Sequence, residues 1–248
     1  QTDPRFPWAK VRGRNPLYKW SSSTPSILGG FPANALLFRK GYLKQGRTVV
    51  HEERSLDNLW RRKVPIISEA GTFDPNRNKG DYAPESTIKQ EVDRLAFLVG
   101  PVEVKYDGDP AKNKAANLTP YINRKKKVVK SITGQIELDY ATGLCKVDAP
   151  KAQGVTGFLK AAGGKIKLSD VTIESGNDYA AVTVVPLDDK PIASSKKLLV
   201  QIGTTQRMTG WADRKINFKS KDGKKTFSGR EIVSVGAPPW RIANTQAT

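Results

Sequence analysis

Ile132-Thr133-Gly134-Gln135-Ile136-Glu137-Leu138-Asp139-Tyr140, Ala141-Thr142-Gly143 and Leu144-Cys145-Lys146-Val147-Asp148 follow one another without a break. The first and third pieces alternate apolar with polar residues, the period of a strand with one buried face, and the piece between them is a turn closing on glycine. Together they predict an antiparallel hairpin. Downstream, strands are expected at 165–168, 171–174, 179–187, 198–202, 215–219 and 231–234, separated by turns such as Gly176-Asn177-Asp178 and Lys221-Asp222-Gly223-Lys224. Short strands at short spacing, with few 3.6-residue apolar periods, predict a mainly β chain. We expect an antiparallel β-sandwich over residues 131–243, with 244–248 as a tail. No fixed-period repeat argues for a propeller or solenoid.

Upstream the pattern loosens. Residues 1–34 are rich in Pro, Gly, Ser and Arg and show neither apolar period, so they read as an irregular arm or packing segment. Residues 35–130 read as a mixed, loop-rich β region. Ala35-Leu36-Leu37-Phe38-Arg39-Lys40-Gly41-Tyr42-Leu43 and Thr48-Val49-Val50-His51-Glu52-Glu53 are expected to be strands. Ser55 is the expected N-cap of a helical turn with Leu56, Leu59 and Trp60 on one face. The stretch Glu91-Val92-Asp93-Arg94-Leu95-Ala96-Phe97-Leu98-Val99 fits helix or strand. Val102-Glu103-Val104-Lys105-Tyr106 alternates as a strand and stops at Asp107-Gly108-Asp109-Pro110.

The chain has 248 residues, enough for one large all-β domain or a smaller one with an appendage. Its 42 Lys and Arg against 24 Asp and Glu give a net charge of +18. The excess is front-loaded, with 25 basic and 13 acidic residues up to Lys130. Two clusters, Arg61-Arg62-Lys63 and Arg124-Lys125-Lys126-Lys127, are the expected contacts for an anionic partner. Nucleic acid would bind such clusters through phosphate neutralisation. No helix-turn-helix, zinc-finger or RNA-binding sheet signature accompanies the charge, so nucleic acid is the lesser expectation. An acidic or sulfated polysaccharide answers to the same long-range field. Apolar runs are of strand length only, and no membrane partner is expected.

The sequence carries little that resembles catalytic machinery. A single cysteine, Cys145, and a single histidine, His51, exclude a disulfide framework and a multi-thiolate zinc site. Cys145 is expected as an inert strand thiol. His51 precedes Glu52 and Glu53, which fall on opposite strand faces, so the trio does not converge on a metal. Ser21-Ser22-Ser23-Thr24 lacks a nucleophile elbow, and the pairs Gly29-Gly30 and Gly163-Gly164 lack the context of a phosphate loop. Asp107/Asp109 and Asp188/Asp189 fit turns better than the facing carboxyls of a glycosidase. No cofactor or metal is expected, and no catalytic residue is assigned. Aromatic residues carry the stronger signal: Trp211, Trp240, Trp60 and Trp20 are the candidate sugar-stacking residues, Trp211 and Trp240 foremost, although large aromatics serve more often as core or interface anchors.

The stretches Gly134-Gln135-Ile136-Glu137-Leu138-Asp139-Tyr140, Val147-Asp148-Ala149-Pro150-Lys151-Ala152-Gln153-Gly154 and Asp178-Tyr179-Ala180-Ala181-Val182-Thr183-Val184-Val185-Pro186-Leu187-Asp188-Asp189-Lys190-Pro191 resemble the β-sandwich region that follows the catalytic barrel in large bacterial glycoside-hydrolase-like proteins. Ala33-Asn34-Ala35-Leu36-Leu37-Phe38-Arg39-Lys40-Gly41-Tyr42 is also similar to the strand by which such chains leave their barrel, so the resemblance covers residues 31–243, and it carries no catalytic residue across. It implies a C-terminal portion of a larger, secreted or periplasmic enzyme, with a catalytic barrel as a further partner. On this reading the chain is a non-catalytic accessory region, carbohydrate-binding or structural. The alternatives are a stand-alone glycan hydrolase using paired carboxylates, and a basic nucleic-acid-binding protein.

Overall fold

The computed structural model describes residues 28–61, 63–67, 91–219, 223–224 and 226–243. Among these the chain is mainly β, built from several antiparallel sheets, as the alternating pattern predicts for the sandwich class. No helix among the described residues is long and apolar enough to cross a membrane. The chain divides into two compact units, residues 41–149 and residues 1–40 with 150–248.

In chain order the elements begin with helix α1 (Phe31–Arg39), strand β1 (Val50–Arg54), the short helices α2 (Leu56–Trp60) and α3 (Ala96–Val99), and strand β2 (Val102–Tyr106). Residues 35–43, expected as a strand, are corrected by α1. Pro32 stands in its first turn, where a missing N–H costs nothing, and Ala33, Ala35, Leu36 and Leu37 are good helix formers without a β-branched run. Ser55 caps α2 as expected, its hydroxyl accepting from the Asn58 N–H at 3.2 Å. The apolar face of α2 nevertheless points to solvent, with Trp60 84% exposed.

In the 41–149 unit, β1 pairs in parallel with β2 and antiparallel with β3 (Lys114–Ala115). A meander follows: β4 (Ile122–Asn123), β5 (Val128–Lys130), β6 (Ile136–Asp139) and β7 (Leu144–Ala149), each antiparallel to the next. The hairpin quoted at the outset is β6–β7, with Gly143 in the left-handed region at φ 74°. Val49, Val50, Ile66, Ile67, Val92, Ala96, Val99 and Val129 form the core of this unit.

The second unit is organised on β11 (Ala180–Pro186), which lies antiparallel between β8 (Ala152–Gly157) and β12 (Leu198–Thr204). The hairpin of β9 (Lys165–Lys167) and β10 (Thr172–Glu174) stands apart from that ladder. Strand β8 has no counterpart among the sequence expectations because Gln153, Gly154 and Gly157 interrupt its alternation. Both features have structural causes. A Cβ on Gly154 would collide with the Val182 carbonyl oxygen, so the neighbouring backbone closes on a site only glycine fills. Gln153 is fully buried, and Asp170 satisfies its amide: Nε2 donates to Oδ2 at 2.6 Å and Oε1 accepts from the Asp170 N–H at 3.0 Å. Helix α1 docks beside this ladder through Gln201 of β12, whose Oε1 accepts from the Ala33 N–H at 2.6 Å.

Two long strands complete the unit, β13 (Gln206–Lys219) and β14 (Thr226–Ile242), paired antiparallel over their length. The expected strands at 215–219 and 231–234 are portions of this single ribbon. Gly154→Ala should lower the unfolding free energy, read from the urea midpoint, by well over the ~1 kcal/mol typical of a point change. An unchanged midpoint would contradict the close β8–β11 approach.

Candidate functional site

The ribbon grows from the end of β12. The Thr204 hydroxyl donates to the Ala243 carbonyl at 2.9 Å, the Ala243 N–H donates to the Thr205 carbonyl at 3.0 Å, and Met208 is buried. At this base lies an open cleft of about 500 Å³ lined by Thr205, Gln206, Arg207, Met208, Gly210, Trp211, Arg241, Ile242 and Ala243. The Arg207 guanidinium lies 4.9 Å from the centroid of the Trp211 ring, a cation–π contact. The indole itself is locked, because Nε1 donates to Asp213 Oδ2 at 2.9 Å. The other carboxylate oxygen of Asp213 accepts from Arg230, with Nε at 2.6 Å. The Arg230 guanidinium, then the Trp211 N–H, hold the Asp213 carboxyl below its ordinary range.

Two details of the cleft carry an energetic cost. Arg207 and Arg241 are direct cross-strand partners, so two cations face each other across the ladder, an arrangement that costs stability. The Gln206 side-chain oxygen is buried with no hydrogen-bond partner among the described residues. A buried acceptor left unmet costs about 1–3 kcal/mol. The locked indole and the paired arginines form a surface suited to a planar or hydroxylated anionic ligand.

The expected tryptophans separate here. Trp211 lines the cleft. Trp240 stands on the same ribbon opposite Met208, half-buried, and is not among the lining residues. Trp60 belongs to the other unit, and Trp20 lies outside the described residues. The two basic clusters are partly tied down. Arg61 pairs with Asp57 one helical turn earlier at 2.6 Å, Lys63 approaches the same carboxylate at 4.0 Å, and Arg62 lies outside the described residues. Arg124 pairs with Asp93, while Lys125, Lys126 and Lys127 stand exposed in the β4–β5 turn.

Arg207, Arg241 and Gln206 were not among the expected site residues. The alternation of Gln206-Arg207-Met208 is visible in the sequence, but the facing of Arg207 and Arg241 depends on a ribbon register that two irregularities shift.

The acidic pairs serve the fold. Asp188 accepts from the Ser195 hydroxyl at 2.7 Å and the Lys196 N–H at 3.0 Å, which hold its carboxyl below the ordinary range. Asp109 accepts from the Ala111 N–H at 3.0 Å, capping a helical turn. Among the described residues no group of three or more His, Cys, Asp and Glu side chains is placed to hold a metal ion. Cys145 is half-buried on β7, and burial pushes its thiol up.

Glu52 and Glu53 do point to opposite faces, as strand geometry requires. Glu52 is buried and its Oε1 accepts from the Ile66 N–H at 3.3 Å, whereas Glu53 shares a face with His51. His51 is clamped between Glu53, 3.2 Å from Nε2, and Glu103, its register partner on β2, 3.1 Å from Nδ1. Both carboxylates favour the imidazolium, Glu53 most, so the histidine titrates above its ordinary value of 6.5. The Asp109 N–H, then His51, hold Glu53 at about 2.

No family model, no curated protein and no solved structure matches the chain.

The raised His51 value favours the folded state fully below about 6.5 and is lost as pH rises through the folded value. The lowered Glu53 value contributes above its ordinary 4.5 and is lost only as pH falls toward 2. The clamp is therefore complete between about pH 4.5 and 6.5. As the single histidine, His51 gives one ring-proton NMR titration, expected above 6.5 and moved downward by Glu103→Gln. A midpoint at or below 6.5 in the unaltered chain would contradict the clamp.

Proposed function

We propose that this chain is a non-catalytic accessory region of a polysaccharide-processing protein, touching glycan through the cleft around Trp211. The observation that carries the reading is the Arg207 guanidinium set over an indole that Asp213 holds in place, with Arg241 directly opposite. The indole face opposite Arg207 is the one left for a sugar, and the guanidinium held over the ring offers paired donors to ring substituents. Because the ring is already immobilised, little ordering entropy opposes binding. The resemblance of residues 31–243 to the region behind a glycoside-hydrolase barrel supports the same reading, with secretion or a periplasmic place as its corollary.

Among the described residues Asp109 is engaged in a cap and Asp188 in a turn, which weighs against a hydrolase built on those pairs. Nucleic-acid binding would fall to the exposed Lys125–Lys127 turn, and its mark would be salt-steep affinity lost on charge reversal there.

Affinity electrophoresis and calorimetry against neutral and acidic polysaccharides test the proposal. Trp211→Ala should weaken retention at least about tenfold, the equivalent of ~1.4 kcal/mol. Trp211→Phe should retain part of it, and Trp60→Ala should leave it unchanged. Retention by no polysaccharide, or wild-type retention by a folded Trp211→Ala chain, would overturn it.

A further inference from the structure

The cleft is one end of a longer feature. On β13 the positions after Gly210 keep strict alternation, because β14 takes up the extra residues at both register shifts, Pro238-Pro239 and Val233. Trp211, Asp213, Lys215, Asn217 and Lys219 therefore share a face, and the Trp211–Asp213 and Asp213–Arg230 hydrogen bonds join that face to the cleft. Lys215 is the direct cross-strand partner of Arg230, a second like-charge pair on one ribbon. The only carboxylate on this row, Asp213, has both oxygens engaged, by Trp211 and Arg230. Among the described residues neither Lys215 nor Lys219 has an ion-pair partner.

The opposite face is built the other way. There Arg214 faces Glu231 directly and pairs with it at 2.6 Å, the favourable arrangement for cross-strand charges. One ribbon thus neutralises its charge on one face and accumulates cation on the other.

We propose that this cationic face is an extended track for an anionic polysaccharide chain bearing carboxylate or sulfate groups, running from the Trp211 cleft past Arg230 and Lys215 to Lys219. The inference rests on the glycan-contact reading of the cleft and adds the ligand's charge and length. At about 3.4 Å per residue the row from Arg207 to Lys219 spans roughly 40 Å, room for several sugars. Its charge spacing selects among polyanions. Lys215 and Lys219 stand about 14 Å apart along β13, whereas one nucleic-acid strand carries a charge every ~3.4 Å of helix axis. Cations grouped at Lys215 and Arg230 and again at Lys219, along a row ending on an aromatic plane, match a chain whose charges are separated by whole sugar units.

The test uses the intact chain and two ladders of oligosaccharides, one uronate-bearing and one sulfated, each from disaccharide upward, with duplex DNA alongside. Affinity should rise with length in at least one ladder, and the ladder showing the rise identifies the anionic group. Lys215→Glu with Lys219→Glu should weaken the long oligosaccharides about tenfold, with a shallower salt dependence, and leave the shortest unchanged. Trp211→Ala should weaken both short and long. Lys215→Glu places a carboxylate opposite Arg230, so its melting temperature should hold or rise while affinity falls, which separates a binding effect from misfolding. Length-independent affinity, or wild-type binding of long chains by the double variant, overturns the track and leaves the cleft reading standing. Binding of no oligosaccharide at any length overturns both. Tighter binding to DNA than to either ladder, with the same lysine sensitivity, overturns the track by assigning the face to nucleic acid.

Discussion

The ladder between Gln206–Lys219 and Thr226–Ile242 is the constraint on which the functional account depends. A two-stranded ribbon is marginal in water without further packing, and this one is secured at its base by Thr204, by the Thr205–Ala243 hydrogen bond and by buried Met208. Its register decides which charges meet. Arg207 faces Arg241 and Lys215 faces Arg230, while Arg214 faces Glu231 on the reverse side. Because the two register shifts are absorbed by β14, β13 keeps its alternation beyond Gly210, and the cations after Trp211 stay on one side. Asp213 offsets this cross-strand repulsion only in part, and an anionic ligand would reduce what remains.

This arrangement gives the +18 a location. The charge excess is largest before Lys130, where Arg61, Lys63 and Arg124 are drawn to Asp57 and Asp93. The surface with unmatched cations and a fixed indole lies instead on the ribbon, in the less basic part of the chain. Total charge and functional charge are different quantities here, and cross-strand neighbours separate them.

The legible parts of the fold were those whose cause is local. The hairpin β6–β7 follows from alternation and from a turn whose glycine takes a positive φ, and the Ser55 cap follows from one hydroxyl three residues ahead of Asn58. Helix α1 escaped because the four-residue apolar run Ala35-Leu36-Leu37-Phe38 fits either period, and only Pro32 at its start marks it. Strand β8 escaped because Gln153 and Gly154 answer to partners distant in sequence, Asp170 and Val182. At the site, Trp211 was legible as an aromatic in polar surroundings. Arg207, Arg241 and Gln206 were not, since their meaning lies in a register that no local pattern encodes.

The most direct measurement is a ¹H–¹⁵N titration of the intact chain with a uronate- or sulfate-bearing oligosaccharide, following the tryptophan indole N–H signals assigned by substitution. The account predicts that the Trp211 indole, hydrogen-bonded to Asp213, shifts together with the Arg207 and Arg230 side-chain N–H signals, while Trp60 stays fixed. Shifts confined to Trp60 and the Lys125–Lys127 turn, with Trp211 unmoved at saturation, would contradict it.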